Sequence, residues 1–100
     1  MNSIAGKQSF INSSAYNASK YGLRGFANGL REELRDDNIK VVSVYPGAVN
    51  TPFWDSIDGK YPRSEMLDVE VLSNTIINSI TCPGNLTIEE IVARRVAGDF

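Results

Sequence analysis

A long helical pattern that leads directly into a β-branched segment is the feature that most limits what this chain can fold into. From Ala15 to about Asp37, residues that share one helix face recur at intervals of four and three positions. The segment from Ile39 to Tyr45 is rich in β-branched residues and predicts a strand, which Pro46 and Gly47 end. The residues that share the helix face are Tyr16, Lys20, Leu23, Ala27, Leu30 and Leu34.

The chain on either side of this unit alternates between loops and short elements. Residues 2–14 are small and polar and predict a loop, from which Asn12, Ser13 or Ser14 is expected to cap the long helix. Residues 48–66 predict a long irregular segment, and loops of this length in compact domains are often lids. Asp68 is expected to cap a second helix. The apolar side of that helix consists of Val69, Leu72, Ile76 and Ile80.

The last segment leaves two alternatives open. Residues 87–90 resemble a capping box, which would begin a further helix, whereas Glu90 to Arg95 fits a short final strand, which we favour. Helices that alternate with strands predict an α/β fold with a parallel sheet. Because two strands make a poor sheet and parallel strands need cover on both faces, the sequence predicts part of a larger α/β domain.

Composition excludes several classes of function. The chain has 42% hydrophobic and 22% charged residues, which predicts a globular protein. Its net charge of −2 and its scattered Lys and Arg residues predict neither a nucleic-acid surface nor an anionic-membrane surface. No stretch is long enough to span a membrane, and the N-terminus does not resemble a signal peptide. A single cysteine, Cys82, rules out an internal disulfide and favours a reducing, cytoplasmic compartment.

Ser3, Tyr16 and Lys20 are the candidate catalytic residues. Tyr16 and Lys20 stand at positions i and i+4 of a helix, so the ammonium lies near the phenol. A nearby positive charge favours phenolate and lowers the pKa of tyrosine from about 10. Such a phenol can exchange a proton with a carbonyl or alcohol oxygen, which a serine hydroxyl would hold in place. This is the equipment for hydride transfer, provided that a hydride carrier is present.

Three consecutive segments resemble blocks of the short-chain dehydrogenase/reductase family. They are Asn2–Gly6, Tyr16–Phe26 and Val44–Thr51. The resemblance is strong from residue 2 to about residue 54 and weaker over residues 68–80 and 89–95. It implies a Rossmann-like doubly wound parallel sheet, of which residues 1–100 would be the C-terminal catalytic portion without the N-terminal cofactor-binding half.

The same resemblance implies roles for individual residues. Tyr16 would be the catalytic acid/base, Ser3 would orient and polarise the substrate oxygen, and Lys20 would lower the tyrosine pKa and bind the nicotinamide ribose. Val49 and Thr51 would contact the nicotinamide carboxamide, and residues 52–66 would form the substrate-side lid. The cofactor, NAD or NADP, would be held by Tyr16, Lys20, Pro46, Gly47, Val49 and Thr51. The implied substrate is a small alcohol or carbonyl compound.

The sequence departs from the family pattern where the cofactor phosphates would bind. No Gly-x-x-x-Gly-x-Gly cluster follows a strand, and Gly22, Gly25 and Gly29 lie inside the predicted helix. The asparagine that completes the family's catalytic tetrad would lie before Met1. We therefore expect these 100 residues alone to be inactive and not to bind NADH or NADPH detectably. The alternative function is a non-catalytic interaction or oligomerisation module that needs an N-terminal partner half.

Surface residues give weaker expectations. The three helix glycines predict either close packing on the sheet or contact with another subunit, as in a homo-oligomer formed through the 15–37 helix. Phe53 and Trp54 either line a substrate pocket or pack within the core or lid. We expect the following residues to be simply solvated: Arg24, Arg31, Glu32, Arg35 and Asp36 on the helix, and Asp55, Lys60, Arg63 and Ser64 in the loop.

Overall fold

The computed structural model describes residues 1–57, 59 and 61–100, so the expectation for Lys60 lies outside the described residues. Two helices, α1 (Ser14–Leu34) and α2 (Val69–Ile80), alternate with two strands, β1 (Ser43–Pro46) and β2 (Glu90–Ala93). Three short 3₁₀ turns cover Ile4–Gly6, Pro52–Ser56 and Arg63–Glu65. This order confirms the predicted α/β alternation, and the strand at residue 90 replaces the alternative of a further helix.

The sheet is parallel, as predicted. β1 pairs with β2 in a register that places Ser43 opposite Glu90 and Pro46 opposite Ala93. All four residues of β1 are buried, and Tyr45 has no exposed surface. On the other side of β1, the backbone N–H of Asn2 donates to the carbonyl of Val44 at 2.8 Å. The strand therefore holds the N-terminal segment and the C-terminal strand together.

The first helix and the first strand are both shorter than predicted. α1 ends at Leu34 rather than near Asp37, and β1 begins at Ser43 rather than Ile39. The backbone N–H of Ile39 donates to the carbonyl of Leu34 at 3.3 Å, and Asn38 adopts the left-handed conformation with φ 57°. Asparagine tolerates this conformation better than most residues. The β1–β2 register spans only four residue pairs, so the rest of the β-branched segment lies outside the ladder.

Arg31 is buried, so the prediction that it is solvated is wrong. Its guanidinium donates to the carbonyls of Val41 at 2.9 Å and Glu89 at 3.0 Å, and to the Ser43 hydroxyl at 3.2 Å. Only 6% of the residue is exposed. Arginine offers five donors in a fixed fork, which suits several acceptors at once. Arg31 therefore ties α1 to the beginning of both strands.

The glycine face of α1 does not pack on the sheet of this chain. A Cβ atom added at Gly22, Gly25 or Gly29 would meet nothing within 4 Å among the described residues. Phe26, on the same helix, is 66% exposed. Of the two predicted explanations for these glycines, close packing on the sheet is wrong for the described chain. Contact with another subunit stays a prediction.

Asp68 caps α2, as predicted. The Asp68 carboxylate accepts hydrogen bonds from the backbone N–H groups of Glu70 at 2.9 Å and Val71 at 3.0 Å. This satisfies two of the free donors at a helix start. The cap of α1 differs: Ser13 stands at the cap position, but its side chain does not accept a helix N–H. Of the predicted apolar side of α2, only Leu72 is buried.

We predict that Arg31→Ala lowers the free energy of unfolding by about 3 kcal/mol, because two carbonyls and a hydroxyl lose a charged donor. Arg31→Lys should lose part of this stability, since one ammonium cannot reach all of these acceptors. Urea unfolding followed by circular dichroism measures the loss. The control is Glu33→Ala, an exposed change on the same helix. Equal stability of Arg31→Ala and Glu33→Ala would contradict the role given to Arg31.

Candidate active site

Ser3 is held at the start of the first 3₁₀ turn. Its backbone is extended, and its Oγ accepts a hydrogen bond from the N–H of Ala5 at 3.1 Å. Because Oγ is the acceptor in this bond, the hydroxyl hydrogen is left to donate elsewhere. The side chain therefore has a fixed orientation and one available donor.

Tyr16 and Lys20 lie together on the first turns of α1. The Lys20 Nζ is 5.4 Å from the centroid of the Tyr16 ring, as the i, i+4 spacing requires. Half of Tyr16 is exposed, whereas Lys20 is partly buried. Within the described part of the chain, neither the phenolic oxygen nor the ammonium has a hydrogen-bond partner. Both groups are free to bind a ligand.

One open cleft of about 860 Å³ brings several predicted site residues together. Ser3 and Tyr16 both line it. The predicted nicotinamide contacts that line the same cleft are Pro46, Gly47, Val49 and Thr51. Lys20 does not line the cleft, but its ammonium lies beside the ring of Tyr16, which does.

The turn after β1 is positioned by backbone pairing. The Gly47 N–H donates to the Ala93 carbonyl at 2.8 Å, which continues the β1–β2 pairing by one residue. Val49 then forms a parallel bridge with Leu67. The Ala48 carbonyl accepts the N–H of Leu67 at 2.9 Å, and the N–H of Asn50 donates to the Leu67 carbonyl at 3.0 Å. In such a bridge the N–H and C=O of the central residue point away from the partner. The Val49 carbonyl accepts the indole N–H of Trp54 at 3.0 Å.

An arginine in the 52–66 segment connects this segment to the turn after β1. Arg63 donates to the Asn50 side chain at 3.0 Å and to the Thr51 carbonyl at 2.9 Å, and it pairs with Asp55. Asp55 is exposed and Arg63 is half-buried, so the prediction of a solvated residue is confirmed for Asp55, although both side chains also take part in these contacts.

Phe53 and Trp54 both line the cleft and also pack against each other. Their ring centroids are 5.6 Å apart in an edge-to-face arrangement, and Trp54 lies 5.0 Å from the Tyr61 ring. Both side chains therefore line the cleft and also pack within the 52–66 segment, whereas contact with a substrate stays a prediction. Arg95 and Phe100 also line the cleft, with the guanidinium carbon 4.0 Å from the ring centroid. The sequence carried no signal for this contribution of the C-terminal residues.

Asn2 and Asn17 are further residues near the site that sequence reasoning missed. Asn17 is 7% exposed, although it lies in the predicted helix beside Tyr16. A buried amide needs hydrogen-bond partners, and Asn17 donates to the Ala5 carbonyl. The half-buried Asn2 accepts the N–H of Ser3 and donates to the Lys20 carbonyl. An asparagine inside a helix, where it is unfavourable, was the one available signal.

The comparisons with known proteins agree with this arrangement. The sequence profile described as short chain dehydrogenase matches residues 1–62. The chain therefore belongs to the short-chain dehydrogenase family.

Two curated relatives illustrate the extent of the match. The sepiapterin reductase of Chlorobaculum tepidum is 33% identical over 98 residues, which are 98% of this chain and 40% of that protein. The NADP-dependent 3-hydroxy acid dehydrogenase of Schizosaccharomyces pombe is 32% identical over 96 residues, covering 88% of this chain and 37% of that protein. The chain thus spans about 40% of the length of such relatives.

Solved structures of the family superpose well on this chain. A β-ketoacyl-[ACP] reductase (FabG) from Bacteroides thetaiotaomicron gives a TM-score of 0.74 at 29% identity and covers 85% of this chain and 37% of its own. A short-chain dehydrogenase/reductase from Vibrio parahaemolyticus gives 0.73 at 28% identity, with 94% and 40% covered. These neighbours confirm that the fold is a C-terminal portion of a Rossmann-like sheet.

Within residues 1–57, 59 and 61–100, no helix is long and apolar enough to cross a membrane. The same residues contain no group of His, Cys, Asp and Glu side chains that would hold a metal ion.

We predict that Glu90→Gln makes the protein less sensitive to acid. Lys7, four residues after Ser3, hydrogen-bonds Glu90 and holds the pKa of that carboxyl below its ordinary 4.5, against an opposing effect of burial. A depressed folded-state pKa adds stability that is present above the unfolded-state pKa and lost as pH falls through the folded-state pKa.

Glu90→Gln should therefore be less stable than the unmodified chain at neutral pH, and the two should converge in acid. Thermal midpoints measured between neutral and acidic pH check this, with Glu70→Gln on the exposed side of α2 as the control. A constant difference between Glu90→Gln and the unmodified chain at every pH would argue against the ion pair.

Proposed function

We propose that this chain carries the catalytic residues of an NAD(P)-dependent oxidoreductase that interconverts an alcohol and a carbonyl compound. The observation that carries the proposal is that Ser3 and Tyr16 line one cleft, with the Lys20 ammonium at the Tyr16 ring. Two relatives are named as a reductase and a hydroxy acid dehydrogenase, which supports a carbonyl or alcohol substrate.

Each residue has a distinct role in this proposal. When bound, the nicotinamide supplies the hydride to the carbonyl carbon or accepts it from the alcohol carbon. Tyr16 donates the proton from its phenolic oxygen to the carbonyl oxygen, and the same atom takes the proton back in the oxidation. Ser3 donates its hydroxyl hydrogen to that oxygen and holds it beside Tyr16. The positive charge of Lys20 stabilises the phenolate that Tyr16 becomes.

The residues around the cleft fit the nicotinamide end of the cofactor. The Lys20 ammonium, which has no partner among the described residues, offers donors for the ribose hydroxyls. Pro46, Gly47, Val49 and Thr51 form the wall on which the carboxamide would lie.

Among the residues that the structure describes, none form a site that matches the cofactor phosphates. Gly22, Gly25 and Gly29 lie inside α1, where backbone N–H groups are already bonded within the helix. We therefore propose that residues 1–100 form the C-terminal catalytic portion of one Rossmann-like domain and do not turn over substrate alone. The single cysteine, Cys82, suits a reducing, cytoplasmic environment.

A second candidate function is association through the open face of α1. The three glycines leave room for a close helix neighbour, and Phe26 is largely exposed beside them. This face suits a second copy of the chain or a partner half, and the two functions are compatible. Light scattering that finds a compact monomer at high concentration would contradict the association.

We predict that Tyr16→Phe abolishes most of the turnover, because the proton donor is lost while the ring remains. The chain is joined behind the N-terminal portion of a related reductase, and NADH or NADPH oxidation is followed with small carbonyl compounds. The rate should fall by roughly 10²–10⁴-fold, the usual contribution of a positioned acid or base. Tyr21→Phe, on the same helix but outside the cleft, is the control.

Tyr16→Phe retaining more than half of the turnover would contradict the assigned role.

Trp54 is the only tryptophan of the chain and lines the cleft, so its fluorescence reports cofactor binding. The 100 residues alone should show no saturable quenching by NADH or NADPH. Saturable quenching at micromolar cofactor would contradict the proposal that they lack a phosphate site.

A further inference from the structure

We propose that Asn2 and Asn17 are positioning residues, which together fix the Ser3 hydroxyl relative to Tyr16 and Lys20. We call the two side chains the amide clamp. The structural part of this proposal is that the clamp fixes the orientation of Ser3. The catalytic part is that this orientation affects turnover, and it rests on the function proposed above.

Asn17 holds the loop that follows Ser3. Its side-chain nitrogen donates to the carbonyls of Ala5 at 3.0 Å and Gln8 at 2.9 Å, and its oxygen accepts the N–H of Phe10 at 3.0 Å. Both donors and the acceptor of the amide are thus satisfied by backbone groups of one loop. Asn17 directly follows Tyr16, so this buried side chain joins the turn of α1 that carries Tyr16 to the loop that follows Ser3.

Asn2 holds the other side of Ser3. Its side-chain oxygen accepts the N–H of Ser3 at 2.8 Å, and its nitrogen donates to the carbonyl of Lys20 at 3.1 Å. Its own backbone N–H binds the Val44 carbonyl of β1. Ser3 is therefore connected through the Asn2 side chain to the helical turn that carries Lys20, and through the Asn2 backbone to β1.

Gly6 provides the space for this amide. A Cβ atom at Gly6 would lie 2.9 Å from the Asn2 side-chain oxygen, closer than Cβ atoms come in proteins, and 3.0 Å from the side-chain nitrogen, which is also unusually close. We therefore expect Gly6→Ala to displace the Asn2 side chain without removing either clamp residue.

The clamp bears on catalysis because Ser3 and Tyr16 must reach the same substrate oxygen. Ser3 lies in a loop and Tyr16 on a helix, so their relative position depends on what joins the two elements. A displacement of about 1 Å in a catalytic group is enough to cost on the order of 10²-fold in rate. Both amides act through Ser3, and neither Asn2 nor Asn17 is assigned a contact with the reacting atoms.

Hydrogen exchange of the Ala5 amide tests the structural part, because this N–H donates to the Ser3 Oγ and reports its orientation. Amide exchange is measured by NMR on the full chain for Asn2→Ala, Asn17→Ala and Gly6→Ala. We expect exchange at Ala5 to accelerate at least tenfold in each variant, while the Gly47 amide in the β1–β2 ladder keeps its rate. Asn74→Ala, an exposed change in α2, is the control.

Steady-state kinetics of the joined protein described above test the catalytic part. We expect kcat to fall on the order of 10–100-fold in the three variants, with the KM for the cofactor within about twofold. Unchanged exchange at Ala5 in Asn2→Ala and Gly6→Ala would overturn the clamp. Fast exchange at Ala5 with an unchanged kcat would overturn its role in positioning.

The two proposals fail in different ways. If the unmodified joined protein reduces no carbonyl compound, the proposed function fails, and the exchange at Ala5 still decides whether the clamp orients Ser3. If Asn17→Ala unfolds the chain, exchange at Gly47 accelerates as well, and Gly6→Ala, which removes no hydrogen-bonding group, decides the question in its place.

Discussion

The short buried strand β1 is the constraint on which the rest of the structure depends. Its carbonyl at Val44 holds the segment that carries Ser3, its pairing with β2 fixes the C-terminal residues, and the turn after it forms a wall of the cleft. A strand of four residues is too small to stand alone. Arg31 compensates by tying α1 to both strands through buried hydrogen bonds. Helix, strand and loop thereby keep their positions around one cleft.

The elements could be predicted from the sequence because their signals are local. The 4–3 spacing gave α1, the β-branched run gave β1, and Asp68 marked the start of α2. The predictions that were wrong, the length of β1 and the exposure of Arg31, depend on tertiary contacts. β1 is shorter than its β-branched run because the register with β2 covers four pairs, and Arg31 is buried because its helix face meets backbone carbonyls. No pattern along the chain distinguishes such an arginine from a solvated one.

The candidate site also has a part that could be predicted from local sequence and a part that depends on tertiary contacts. The spacing of Tyr16 and Lys20 places them together whatever surrounds the helix, so their proximity followed from the sequence. The position of Ser3 did not, because it depends on Asn2, Asn17 and the space at Gly6. Ser3 and Tyr16, to which we assign proton exchange, line the cleft, whereas Gly22, Gly25 and Gly29 lie inside α1 and present no free backbone N–H groups to a phosphate.

The most direct measurement is the position of a bound substrate oxygen in a crystal structure of the joined protein with cofactor and an unreactive alcohol. Convergence of Ser3 and Tyr16 on one atom requires that this oxygen lie within roughly 2.6–3.2 Å of both Ser3 Oγ and Tyr16 Oη. An alcohol bound in the cleft whose oxygen contacts neither hydroxyl, or only one of them, would contradict the assignment of Ser3 and Tyr16 to a single reaction centre.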